Sequence, residues 1–127
     1  TSKRTFDKSL SAVFGPGTQP SRRDLDGFWD LINHNGGRHV FHNLITYMTD
    51  RKTYRERWVS ALQQSAVPIG LINGSVDPVS GAHMVERYRE VVSEDHFIVE
   101  LPTIGHYPQV EAPEEVVRAY LRFLRQV

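Results

Sequence analysis

Two short apolar runs constrain this chain most. Val67-Pro68-Ile69-Gly70-Leu71-Ile72 ends in Asn73-Gly74, and His96 to Leu101 ends shortly before Gly105. Each is too short for a helix, and Pro68 stands only at the entry of the first, so both read as buried parallel strands. Between them Ala82, Val85, Tyr88, Val91 and Val92 trace one face of a helix from about Ser80 to Val92. After them Ala112 to Gln126 reads as a terminal helix, with Pro113 in its first turn, Glu114 and Glu115 at the positive end of the dipole and arginines later. Strand, helix, strand, helix makes a right-handed βαβ crossover with a closing helix, the unit of an open parallel sheet. Two strands alone leave apolar edges unpaired, so a further segment is expected to complete the sheet.

Upstream the periodicity is helical. Thr1 to about Pro20 reads as an irregular connection, because SAVFGPGTQPS gathers Gly15, Pro16, Gly17 and Pro20 in one short interval. Ser21 is a candidate N-cap with Asp24 in an imperfect capping-box position. Leu25, Phe28, Trp29, Leu31 and Ile32 then recur at helical spacing until Asn35, Gly36 and Gly37 stop the run. A second helix is expected from about Arg38 to Thr49, with Val40, Phe41, Leu44, Ile45 and Met48 on one stripe, and a third from about Tyr54 to Gln64.

The chain's 127 residues suit one ordinary domain, and 39% apolar content together with nine glycines predicts a packed core rather than disorder. Fifteen basic residues balance fifteen acidic ones, which gives no electrostatic case for nucleic acid or an anionic membrane as a partner. The absence of cysteine excludes disulfides, a thiol nucleophile and a cysteine metal site, and suits a cytoplasmic setting. No apolar run approaches a membrane span, and TSKRTFDKS lacks the apolar core of a signal peptide.

The polar residues that follow the two strands carry the chemistry. Asp77 and His106 each lie within a few residues of the carboxyl end of their strand, and adjacent parallel strands bring such ends together. A carboxylate on one imidazole nitrogen fixes the tautomer and stabilises the cation, leaving the other nitrogen as a base. Gly74 and Gly105 are expected to allow the sharp turns that aim these side chains into a cleft. The plainer alternatives are an Asp that caps a turn before Pro78 and a hydrogen-bonded loop His.

At these residues the chain resembles a known family. VPIGLINGSVDPVS is similar to the strand and acid turn of the α/β-hydrolase fold, and IGHYPQVEAPEEVVRAYLRFL to its histidine loop and last helix. HYPQVEAP resembles the branch that includes epoxide hydrolases and haloalkane dehalogenases, while SAVFGPGTQPS and DRKTYRERWVSAL more closely resemble the mesoderm-specific-transcript-like members of that branch. The resemblance implies an α/β fold that is the C-terminal part of an α/β-hydrolase, with residues 1–65 as a helical cap and 66–127 as a β-α-β-α part of the core. It implies Asp77 as triad acid and His106 as general base, with no cofactor and a small hydrophobic substrate.

In that family the nucleophile comes first, on a G-x-S-x-G elbow or its aspartate version. No serine or aspartate here has glycine at both i−2 and i+2, so the nucleophile is expected from an N-terminal half, in the same precursor or as a separate chain. By itself this polypeptide is expected to be inactive. The histidine loop resembles enzymes with an aspartate nucleophile that form an alkyl-enzyme ester, a serine esterase being the alternative and a non-catalytic ligand-binding member the third.

Tyr47, Tyr54 and Trp58 have the ordinary role of packing helices together; Tyr47 is also a candidate substrate-binding residue, as is Tyr107 beside His106. Phe28 and Trp29 read as core or cap-to-body contacts. Glu111 reads as a cap for the last helix and Gln109 as a support of the loop. His39 and His42, with His34 nearby, lack an acidic third ligand on the same face, so no metal is expected. Asn73-Gly74-Ser75 matches a glycosylation sequon inside the acid turn, and Arg51, Lys52, Arg55 and Arg57 read as a solvated helix face.

Overall fold

The computed structural model describes residues 2–93 and 95–127; Thr1, the head of the expected cap segment, lies outside them. The first departure from expectation comes at once, because the stretch read as a connection begins with a helix, α1 (Lys3–Ser11). Ser2 caps it by accepting from the Thr5 amide, and Lys3 bridges Asp7 one turn on at 2.9 Å. Glycine and proline further along had masked this local signal; they form the turn after α1.

Helix α2 (Arg22–Asn33) starts as expected, with a complete capping box between Ser21 and Asp24. Phe6 of α1 meets Trp29 of α2 at 5.5 Å, and Lys3 and Arg22 each bridge both Asp7 and Asp26. Asn35 and Gly36 take positive φ values of 48° and 72° inside a 3-10 segment, His34–Val40.

The single helix expected from Arg38 to Thr49 is broken into that segment, α3 (Phe41–Leu44) and α4 (Tyr47–Thr53). The Thr46 hydroxyl donates to Asn43 O at 2.6 Å, and the amides of Thr46 and Met48 bond three residues back, so the ladder tightens at the break. The expected apolar stripe consequently lacks cover among the described residues: Leu44 and Ile45 are 60% and 61% exposed. Helix α5 (Arg55–Gln63) follows, with Tyr54 and Trp58 packed on each other at 6.3 Å.

The first strand lies later than the apolar run suggested. It is β1 (Gly70–Gly74), and Val67 is 70% exposed. Ser65 explains the shift: its hydroxyl donates to Val67 O and accepts from the Val67 amide, while Pro68 has no amide to give, so the ladder starts beyond them. After α6 (Ala82–Val91) the second strand, β2 (Phe97–Leu101), runs parallel to β1 with Gly70 opposite Phe97 and Gly74 opposite Leu101. The expected last helix is two: α7 (Pro108–Glu111) and α8 (Pro113–Leu124). Pro113 forces the preceding Ala112 out of helical geometry, to φ −144° and ψ 60°, which separates them.

Both α6 and α8 pack against β1. Phe123 of α8 stands over Gly70, where a Cβ would meet its ring at 3.1 Å, and touches Phe97 at 5.4 Å. Val85 is fully buried, and Leu101, Ile104, Ala119 and Phe14 complete the core, which therefore sits beside the carboxyl ends of the strands. Among the described residues the sheet has two strands, so each keeps one backbone edge outside the ladder. No described helix is long and apolar enough to cross a membrane.

Candidate active site

Beyond Gly74 the chain turns sharply, and Asp77 is buried at the turn, its side chain 3% exposed. Asp77 Oδ1 accepts from the Val79 amide at 2.8 Å; Oδ2 accepts from the Ser80 amide at 3.0 Å and the Ser80 hydroxyl at 2.7 Å. The same Oδ2 lies 2.7 Å from His106 Nδ1. Thus Asp77 both caps its turn and holds the imidazole, and the two readings of its sequence position coexist. Burial pushes its carboxyl up, but the hydrogen bonds from Ser80, Val79 and His106 outweigh it and hold the group below the usual carboxylate range.

His106 is 34% exposed, and with Nδ1 on Asp77 the other ring nitrogen, Nε2, is the one left for proton transfer. Its amide donates to Val13 O at 2.8 Å, so the turn after α1 holds the histidine loop. Neither Gly74 nor Gly105 has positive φ, so the turn that follows Gly74 does not depend on left-handed backbone at a glycine. They serve close approach: a Cβ on Gly105 would lie 2.5 Å from the Gly15 amide nitrogen, and one on Gly74 would collide with the Gly105 carbonyl.

Tyr107 stands edge-on to His106, ring centroids 5.0 Å apart at 83°, and packs against Phe14 at 5.3 Å and Phe28 at 6.1 Å. The structure therefore brings Asp77, His106 and Tyr107 together. Tyr47 lies elsewhere, on an apolar surface depression lined with Phe41, His42, Leu44 and Ile45, and is 49% exposed. Trp29 packs on Phe6 and carries the Arg38 guanidinium 5.2 Å above its ring.

Two residues beside the site escaped sequence reasoning. Ser80 read only as a helix start, although the spacing Asp77-Pro78-Val79-Ser80 is that of an acid that collects donors two and three residues on. Asn73, buried like Asp77, fixes the same turn by donating to Ser80 O at 2.7 Å, while its Oδ1 has no hydrogen-bond partner among the described residues. Glu111 reads in the sequence as a cap for the last helix. Its carboxylate instead accepts from Gly15, Gly105, Tyr107 and Thr18.

No protein-family model matches the chain. It is 36% identical over 120 residues to the mesoderm-specific transcript protein of Mus musculus and 38% identical to the homologous protein of Homo sapiens, in each case over 94% of this chain and 36% of the relative. LipZ of Mycobacterium tuberculosis, named as a candidate hydrolase, is 33% identical over 97% of this chain and 42% of its own length. A crystal structure of CarC, a serine hydrolase involved in carbazole degradation, superposes with a TM-score of 0.74 at 17% identity, over 99% of this chain and 48% of that one. The chain thus spans well under half the length of these curated relatives.

Proposed function

The chain has the architecture of the C-terminal part of an α/β-hydrolase fold, and from that premise we propose that Asp77 and His106 are the acid and general base of a hydrolase whose nucleophile is carried by an N-terminal half, in the same precursor or on a separate chain. One observation carries this reading: a buried carboxylate 2.7 Å from Nδ1 of an imidazole that is itself 34% exposed. Residues 1–65 are the cap and 66–127 the last strands of the core, with a small hydrophobic substrate between them and Tyr47 and Tyr107 as candidate contacts.

The nucleophile is an aspartate and the substrate an epoxide or haloalkane. The aspartate oxygen attacks the carbon, an ester bond forms, and the carbon–halide or carbon–oxygen bond of the epoxide breaks. The opened epoxide oxygen takes a proton from solvent. His106 Nε2 then takes a proton from water as that water attacks the ester carbonyl, Asp77 stabilises the imidazolium, and the proton passes to the departing alcohol oxygen as the ester C–O bond breaks and the aspartate is restored. A serine nucleophile is the second reading, supported by the description of the fold neighbour CarC as a serine hydrolase. His106 would then take the serine proton itself.

The two readings separate in the full-length protein on treatment of His106→Ala with 1-bromobutane and with p-nitrophenyl butyrate. With an aspartate nucleophile the ester forms and persists, so intact mass rises by one butyl group on the N-terminal half. With a serine the variant forms no adduct and loses ester turnover. Parent-level turnover of styrene oxide, 1-bromobutane or p-nitrophenyl butyrate by His106→Ala would overturn the assignment of the base, and a parent that binds but consumes none of the three would be a ligand-binding member.

A further inference from the structure

The carboxylate of Glu111 gathers the histidine loop from below. Its Oε2 accepts from the Gly105 amide at 2.8 Å, the Gly15 amide at 2.8 Å and the Thr18 hydroxyl at 2.6 Å. Its Oε1 accepts from the Tyr107 amide at 3.0 Å. Gly105 and Tyr107 flank His106, whose own amide donates to Val13 O. Three consecutive amides of the loop are thereby fixed, two on Glu111 and the middle one on the turn that Glu111 also holds through Gly15 and Thr18.

A carboxylate that only capped α8 would not reach across to residues 93 and 96 positions away in the chain. Burial works against its charge, yet the four donors outweigh burial and depress the carboxyl below its ordinary range, so the group that holds the loop is the anion.

We propose that Glu111 is a positioning residue for His106: it locks the Val13–Thr18 turn onto the histidine loop and so fixes where the imidazole meets Asp77. This deepens, and rests on, the reading of His106 as the general base. Substitution by glutamine distinguishes positioning from mere cohesion, because an amide can keep one oxygen on the Gly15, Gly105 and Thr18 donors but then turns its NH2 toward the Tyr107 amide. Two donors face each other one residue from His106, while the turn stays attached.

The experiment uses the full-length protein, with p-nitrophenyl butyrate, styrene oxide and 1-bromobutane as probes. It also follows the downfield proton resonance of His106 Nδ1–H on Asp77, a readout independent of turnover. In Glu111→Gln, kcat is expected to fall about tenfold or more with KM little changed, because a misplaced base loses rate rather than binding. The Nδ1–H resonance shifts or broadens. Val85→Ala, a plain core change, is the stability control and keeps both kcat and the resonance. If Glu111→Gln does not fold, Thr18→Val removes the hydroxyl bond to Oε2, together with the longer contact to Gly15 O at 3.4 Å, and gives a smaller change in both readouts, in the same direction.

Lower thermal stability with parent kcat and an unmoved resonance, in whichever variant folds, would overturn the proposal and leave Glu111 as cohesion alone. The underlying reading fails separately. If His106→Ala keeps turnover, the base assignment is wrong, and the resonance in Glu111→Gln still decides whether Glu111 positions the ring.

Discussion

Asp77 Oδ2 lies 2.7 Å from His106 Nδ1, although the two residues are 29 positions apart and belong to loops after different strands. The parallel register that sets Gly74 opposite Leu101 makes this meeting possible, because both loops leave the same end of the sheet. The carboxylate is further held by Val79 and Ser80, so its orientation does not rest on the imidazole alone.

Asp77→Asn removes the charge and lets the side chain offer an NH2 where His106 Nδ1–H now donates. The ring is then held in the wrong tautomer. In the full-length protein kcat is expected to fall by about three to four orders of magnitude, on the scale of other carboxylate-to-amide changes behind a catalytic histidine. The measurement is kcat beside a circular dichroism spectrum. A folded variant within about threefold of the parent would show that Asp77 only caps its turn.

Acid stability follows from the two depressed carboxyls. Asp77 and Glu111 have folded pKa values below their ordinary 3.8 and 4.5, so the unfolded chain binds more protons between each folded value and the ordinary one. Their contribution is therefore fully present above about pH 5 and is lost as pH falls through the folded values. The exposed Asp24 and Asp26 are depressed too and act in the same sense. The informative quantity is thus a difference: the melting temperature of Ser80→Ala, recorded from pH 6 down to pH 2.5, should draw nearer to that of the parent as the pH falls. At neutral pH the lost hydroxyl donor to a charged acceptor should cost about 1.5–3 kcal/mol. A constant offset across the range would mean that Ser80 does not act through the Asp77 charge.

The second half of the chain was legible because each element carries its own signal. Apolar runs gave both strands, Pro113 and the glutamates after it gave α8, and the Asp77 and His106 positions followed from strand ends. What stayed hidden depends on side chains that compete with the backbone. Ser65 delays β1 by occupying Val67, and Thr46 helps break the stripe-bearing helix. Glu111 acts through partners in a turn 93 and 96 positions upstream, which no local window contains. The need for glycine at 105 is visible in the sequence, but its cause is the close approach of Val13, Phe14 and Gly15 rather than backbone freedom.

That distinction is testable with two glycines. Gly105→Ala forces the turn off the histidine loop and should cost about 1–3 kcal/mol, as overpacking does, with loss of protection at the His106 amide in hydrogen exchange. Among the described residues a Cβ on Gly17 meets nothing within 4 Å, and its φ is not positive, so Gly17→Ala should be neutral or stabilising by up to about 1 kcal/mol. Equal effects in urea melts would undo the close-approach account.

The uncovered apolar stripe gives the last contrast. Val85 is fully buried on α6, so Val85→Ala leaves a void where two methyl groups packed and should cost about 2 kcal/mol. Leu44 sits on α3 at 60% exposure, and in this chain Leu44→Ala should stay within about 0.5 kcal/mol of the parent. The same pair measured in the full-length protein reads the surroundings of the stripe directly. If Leu44→Ala then costs as much as Val85→Ala, the stripe is covered there by residues outside this chain, because only lost burial turns a leucine truncation from neutral to costly. If it remains neutral, the stripe faces solvent in the longer protein as well, and the break at Thr46 leaves an exposed segment between α2 and α5.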